Sequence, residues 1–377
     1  MQGRKIFLLG YHGRRNIGDD AVCVSLIETL GKLSNPESMF YVYTKEGYIK
    51  RNFRKEKGLQ IRFTSSFVSV LKALVDSQVV IVDGGDHLHD YGHLLKRLEI
   101  FVAFFMLAIL TKVSFKKLLI INGGFRATKG ISLAFLKIIL SLTCRVSVRD
   151  GDSFALISKY VCKQPQRGFD TAILLDYKHQ SIVDTHKKSV GFSITPVFSN
   201  FFLKPEKDEA LAKVIARDVN TLFHKAKNIN LYFLVFNTDP KVGDLNILRK
   251  ITIMLDEEVL KRIKLIAYSG DIADFLSKFS QLDFVVCCKY HSVIFSYLLG
   301  KPMLVINYHP KNAALAREIG LSSRCLVSLE HVFAGKLGLM LPELVSSPEE
   351  FKATLPVYEA RRRALNGIQR CMACVLQ

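Results

Sequence analysis

Phe284-Val-Val-Cys-Cys-Lys-Tyr-His-Ser-Val-Ile-Phe-Ser-Tyr-Leu-Leu-Gly300-Lys-Pro-Met-Leu-Val-Ile-Asn-Tyr-His-Pro-Lys311 reads as a strand, a charged loop, a short helix and a second strand. Residues 284–288 are an apolar run of β-formers. Residues 292–299 carry apolar side chains at helical spacing and close on Gly300, and residues 303–307 read as a second buried strand. Lys289 and His291 therefore fall at the carboxyl end of a parallel strand. In open α/β sheets ligands sit outside that edge, where loops converge and helix N-termini aim N–H groups at anions. A cation, an imidazole and a helix start so close together point to an anion with acid chemistry beside it. The plainer alternative is a solvated loop.

The same alternation runs outward. In the second half, residues 189–194, 230–236 and 263–268 read as strands, and 208–226, 244–255 and 272–279 as helices. In the first half, strands are expected at 5–10, 40–43, 78–82, 118–122 and 144–148, with helices at 21–30, 67–74, 94–110, 131–142 and 153–158. Strands alternating with helices throughout imply an α/β protein with parallel sheets in both halves. The hydrophobic pattern lapses over 177–188, which divides the chain into domains at 1–180 and 181–335. Residues 336–377, with Arg361-Arg-Arg363, read as a helical segment packing back on them.

At 377 residues, with 49% apolar and 23% charged residues, each half is large enough to bury its own core. The net charge of +19 means attraction to polyanions or anionic surfaces. No basic stripe interleaved with aromatics, no zinc-finger spacing and no RNA-binding signature is present, which argues against nucleic acid. The eight cysteines follow no framework spacing and read as reduced thiols. Cys371-Met-Ala-Cys374 lacks a second pair and reads as incidental. The apolar run at the N-terminus is too short for a signal peptide, so a cytoplasmic protein is expected. Residues 100–110 are wholly apolar, yet fall short of the roughly 20 residues that span a bilayer. A buried helix is the default expectation there, with membrane contact as the sharper one.

Two more strand ends are crowded with polar residues. Tyr11-His-Gly-Arg-Arg-Asn-Ile-Gly-Asp-Asp20 follows the first strand. Its glycines allow tight turns, and Asp19 or Asp20 can cap the next helix. The loop resembles a phosphate cradle but lacks the dinucleotide spacing, which excludes NAD. Asp83-Gly-Gly-Asp-His-Leu-His-Asp90 follows the strand at 78–82. Its Asp86, His87, His89 and Asp90 fit no common zinc pattern, so no metal is assigned.

Gly10-Tyr-His-Gly13-Arg-Arg-Asn16-Ile-Gly18-Asp19-Asp20-Ala21 resembles the opening motif of the polysaccharide pyruvyl transferases. The resemblance continues, in the family's order, through Asp83-Gly84-Gly85 with Asp90, Ser147-Val-Arg149-Asp150 with Ser153, and Asp170-Thr-Ala172. It ends with Lys289-Tyr-His291 and with Gly300-Lys-Pro302 through Tyr308-His-Pro-Lys311. It implies two facing Rossmann-like domains, as in GT-B glycosyltransferases, with the active site in the interdomain cleft. It implies phosphoenolpyruvate as donor, no cofactor, and a sugar or lipid-linked oligosaccharide as acceptor, giving a pyruvate ketal in cell-surface polysaccharide biosynthesis. By the same resemblance His291 and Arg149 are catalytic, with His291 the acid, and Lys289 and Arg149 hold the donor's phosphate or carboxylate. Asn16 and Asp19 meet the acceptor, and Gly13, Gly84, Gly85, Tyr308 and Lys311 line the substrate site. Together with the charge, it implies work at the inner face of the plasma membrane with peripheral contact to anionic lipid.

The chain departs from the family twice. Lys289 stands where Arg is usual, and a third glycine near Asp83 or Asp86 is missing. Lysine holds a phosphate as a point charge and cannot form arginine's bidentate fork. The alternatives are a sugar-nucleotide glycosyltransferase on the same architecture and a non-catalytic relative.

Overall fold

The computed structural model describes residues 3–45, 47–53, 58–86, 88–91, 94–160, 164–177, 187–226 and 229–376. They form two compact units: residues 1–14, 18–176 and 358–377 make the first, and residues 15–17 and 177–357 the second.

The first unit holds β1 (Lys5–Leu9), α1 (Ile17–Leu33, from Gly18 on), β2 (Met39–Tyr43), β3 (Gln60–Thr64), α2 (Phe67–Asp76), β4 (Val79–Val82), β5 (Leu88–His89), α3 (Leu94–Val113), β6 (Lys117–Gly123), β7 (Phe125–Arg126), α4 (Gly130–Leu142), β8 (Arg145–Val148), α5 (Gly151–Tyr160) and β9 (Gln166–Arg167). Its seven-stranded parallel sheet runs β3-β2-β1-β4-β6-β8-β9, and β5 pairs with β7. Ile6 lies opposite both Phe40 and Val79, so β1 is flanked on each side and its apolar side chains are enclosed. All four residues of β4 are buried, as a strand covered by helices on both faces must be.

The second unit holds β10 (Lys188–Ser193), α6 (Glu206–Lys225), β11 (Ile229–Val235), α7 (Leu245–Ile253), α8 (Glu257–Arg262), β12 (Lys264–Ala267), α9 (Ile272–Phe279), β13 (Phe284–Cys287), α10 (Tyr290–Leu298), β14 (Met303–Asn307), α11 (Pro310–Glu318), β15 (Leu326–Ser328), α12 (Leu329–Phe333) and α13 (Lys336–Ser346). Its six strands run β12-β11-β10-β13-β14-β15, all parallel. Counted within its unit, each sheet begins 3-2-1-4, the doubly wound order. Each therefore reverses direction beside its first strand, between β1 and β4 and between β10 and β13.

The sequence boundary at 180 falls at Tyr177, and the segment expected as one piece over 336–377 divides. Leu337, Met340, Leu341 and Leu344 of α13 are buried within the second unit. The last helix, α14 (Val357–Leu376), belongs to the first unit from Tyr358 on. Its Ala360, Ala364, Ile368, Cys371 and Val375 recur at helical spacing and are all buried. Arg361 donates to the carbonyls of Ile173 and Leu175, and Asn122 donates to that of Ala364. Within Cys371-Met-Ala-Cys374, Cys371 is buried against β6, and the Cys374 sulfur lies 3.5 Å from that of Cys144.

Helix α3 is not enclosed as the default expectation had it. Phe101, Ala108 and Thr111 point into the core, but Val102, Met106 and Leu110 face solvent. No described helix is long and apolar enough to cross a membrane.

Candidate functional site

At the reversal point of the first sheet, the loop after β1 meets the loop after β4. Gly10 is needed there because a Cβ would collide with the Asp83 carboxylate and the His12 ring. His12 is buried, with Nδ1 3.1 Å from the Tyr43 carbonyl and Nε2 bonded to Asp83. Both ring nitrogens face oxygen acceptors, so both donate and the ring is an imidazolium. Burial opposes that charge, but the Asp83 carboxylate outweighs it and holds His12 well above the ordinary value of 6.5. Cys23 completes a set whose ligand atoms lie within 4.8 Å of one another. His12 pairs with Asp83 and ties the loops after β1 and β4 together, and burial raises the Cys23 thiol beside them.

The remaining first-unit residues follow the same pattern of mutual satisfaction. Gly13, at φ 68, donates its N–H to the buried Asp20, 2.8 Å away, while Asp19 is half-buried. A Cβ on Gly84 would sit 2.9 Å from the Asn122 carbonyl oxygen, and the Gly85 carbonyl accepts from Gly124. Arg149 is 3% exposed. Its guanidinium lies 2.9 Å from Asp86, 3.2 Å from Asp170 and 3.9 Å from Asp150. Asp150 is held in turn by Arg126 and the Ser153 N–H. The arginine read from sequence as a holder of substrate anions is thus surrounded by carboxylates of its own chain. Of the histidine-rich loop, His89 stacks on Tyr91 at 3.5 Å, Asp90 accepts from Thr128, and His87 lies outside the described residues.

The second unit's edge differs. Lys289 directly precedes α10, and its ammonium lies 3.0 Å from Asp244. Asp244 is fully buried, and its other oxygen accepts the N–H groups of Phe236 and Asn237, each at 2.9 Å. That leaves Lys289 oriented and 16% exposed. His291 stands in the first turn of the same helix, half-buried, with the Tyr290 ring edge-on to it at 5.3 Å. Asn312 clamps the strand ends from below by donating to the Cys288 and Ile306 carbonyls. Burial pushes the Cys287 and Cys288 thiols up to about 12, so neither supplies a thiolate.

Phe201, on a π-helical turn after β10, gathers three neighbours. The Tyr308 ring lies at 4.8 Å, the His309 ring at 6.0 Å, and the Lys311 ammonium at 5.1 Å over its face. Tyr308 and Lys311, assigned together from sequence, are brought together here. Asn16 is placed with this unit, since it bridges Asn237, and Ile17 donates to the Phe236 carbonyl. Sequence reasoning missed Asp244, Phe201 and Asn312. Asp244 carried a signal, as an acid following Gly243 at the start of α7.

The family described as polysaccharide pyruvyl transferase matches residues 16–310. The chain belongs to that family. Membership makes it one of the transferases of polysaccharide biosynthesis, and the matched span contains Asn16, Arg149, Lys289 and His291. No curated protein matches its sequence at a significant level. Among solved structures it is similar to S. aureus MnaA in a co-structure with UDP, with a TM-score of 0.65 and 13% identity over 100% of this chain and 98% of that one. It is similar to a UDP-GlcNAc 2-epimerase from Neisseria meningitidis bound to UDP-GlcNAc, with a TM-score of 0.63 and 13% identity over the whole of both chains. A putative UDP-N-acetylglucosamine 2-epimerase from Listeria monocytogenes gives 0.62 and 13% over 99% and 96%. At such identity the likeness establishes the fold, a GT-B-like pair of Rossmann-like units, in this member of the pyruvyl transferase family.

Proposed function

We propose that the protein moves the enolpyruvyl group of phosphoenolpyruvate onto two hydroxyls of a sugar, or of a lipid-linked oligosaccharide, forming a pyruvate ketal at the inner face of the plasma membrane. The observation that carries the reading is the pair Lys289 and His291 at the start of α10, beside the reversal point of the second sheet, in a chain of this family. Carbon 3 of the donor takes a proton from the His291 imidazolium, which leaves oxocarbenium character at carbon 2. One sugar hydroxyl adds there and gives up its proton. The second hydroxyl then displaces inorganic phosphate and closes the ketal. Lys289, aimed by Asp244, holds the donor's phosphate or carboxylate. Asn16, Asp19, Tyr308 and Lys311 are assigned to substrate, and Arg149 to positioning Asp86 and Asp170.

Incubation with phosphoenolpyruvate and candidate sugars tests this by phosphate release and by the acceptor's mass gain of one pyruvyl group. Phosphate release without that gain contradicts the proposal. Turnover of a nucleoside-diphosphate sugar in place of phosphoenolpyruvate selects the glycosyltransferase reading, and inertness toward both selects a non-catalytic relative.

A further inference from the structure

Leu95, Val102, Met106, Leu110 and Val113 recur at helical spacing along the outer side of α3, each at least 42% exposed. Val68, Leu71 and Val75 form a similar exposed stripe on α2. An apolar groove of about 600 Å3 runs between the two helices, floored by Phe7 and walled by Val70, Leu74, Phe104 and Leu107. At the end of α3, Phe115 N–H bonds to the Lys112 carbonyl and Lys116 N–H to that of Thr111, a closing turn whose αL position usually belongs to glycine. Phe115 occupies that position at φ 55 and is 97% exposed, so the fold holds an aromatic ring outward against its backbone preference. An apolar surface of this extent marks a contact face.

Charge identifies what the face meets. Lys72 on α2 and Lys112 near the end of α3 are exposed and Arg14 lines the groove, against one exposed carboxylate, Glu99, between Leu95 and Val102. Two copies placed face to face would bring together two chains that each carry +19. An anionic bilayer neutralises that charge. We infer that the α2–α3 face of the first unit seats on an anionic phospholipid bilayer, with Met106, Leu110 and Phe115 entering its interfacial layer and the cations meeting headgroups. The inference deepens the membrane-side reading above, and it is tested without reference to catalysis.

The test is co-sedimentation of the full chain with phosphatidylcholine vesicles, with and without phosphatidylglycerol, at low and high salt. The wild type pellets with anionic vesicles. The combined variant Val102→Glu, Met106→Glu, Leu110→Glu loses at least about tenfold in bound fraction. Phe115→Gly guards against a folding artefact, because glycine suits the backbone there: its unfolding midpoint holds or rises while vesicle binding falls. Wild-type protein in the supernatant under every condition overturns the inference. So does a combined variant that binds as well as wild type, or a wild-type dimer that this variant splits and that never takes up vesicles. Vesicle binding without phosphate release from phosphoenolpyruvate keeps this inference and removes the transferase reading, whereas the reverse result does the opposite.

Discussion

Along the strand ends of the first sheet, His12, Asp20, Asp83 and Arg149 are at most 3% exposed, and each meets an ionic or hydrogen-bonding partner from its own unit. Beside the reversal point of the second, Lys289 keeps 16% of its side chain exposed and His291 is half-buried. Both units use the doubly wound order, and both place their motif residues at strand ends. The difference teaches that a charged motif at a sheet edge takes one of two forms. Where burial is complete, desolvation forces opposite charges together and the motif becomes scaffold. Where one buried carboxylate aims a partly exposed cation, the motif can still act on a ligand.

The contrast is most exposed to failure at Arg149. Arg149→Ala should leave Asp86 and Asp170 without their cation, while Asp150 keeps Arg126, and cost about 3–5 kcal/mol, read as a large fall in the unfolding midpoint. A variant that melts like the wild type yet loses activity would return Arg149 to the substrate and erase the distinction between the units. His291→Gln tests the other side. Turnover should drop by roughly 100-fold or more, with modest change in donor affinity and in stability. Wild-type turnover in that variant would remove His291 as the acid.

Smaller effects sharpen the picture. Lys289→Ala should weaken donor binding about tenfold by calorimetry, and Lys289→Arg should retain or improve it. A larger loss in Lys289→Arg than in Lys289→Ala would mean that the Asp244 pocket, and not charge, selects the residue. The last test is the pH dependence of stability. The folded value of His12 is raised by Asp83, so the folded protein keeps a proton that the unfolded chain releases above 6.5. Stability from this pair is therefore whole below pH 6.5 and declines as pH rises through the raised folded value, by at most about 1.4 kcal/mol per pH unit. Chemical denaturation across that range, in wild type and His12→Gln, should show the decline only in the former. Equal slopes would mean that His12 is neutral in the folded protein.

Much of the fold was legible because a parallel sheet covered on both faces leaves continuous apolar runs. The strands at 79–82, 284–287 and 303–307 were expected over 78–82, 284–288 and 303–307. The helix over 94–110 was legible in extent and not in setting. Its residues are apolar almost all round, so periodicity could not tell which side faces the sheet. The five-residue edge strand β3 was not expected, and the short strands β5, β7, β9 and β15 escaped because two or three residues carry no period.

By itself, the sequence determined the alternation of strands and helices, the family, and the strand ends where Gly13, Gly85, Arg149, Lys289 and His291 stand, because those follow from local patterns along one chain. Which of these residues are tied up within the protein follows from contacts between distant parts of the chain. Asp86 and Asp170 reach Arg149 across gaps of 63 and 21 residues, and Asp244 reaches Lys289 from another strand end. Whether a charge is answered within the protein depends on partners distant in sequence, and burial sets the cost of leaving it unanswered.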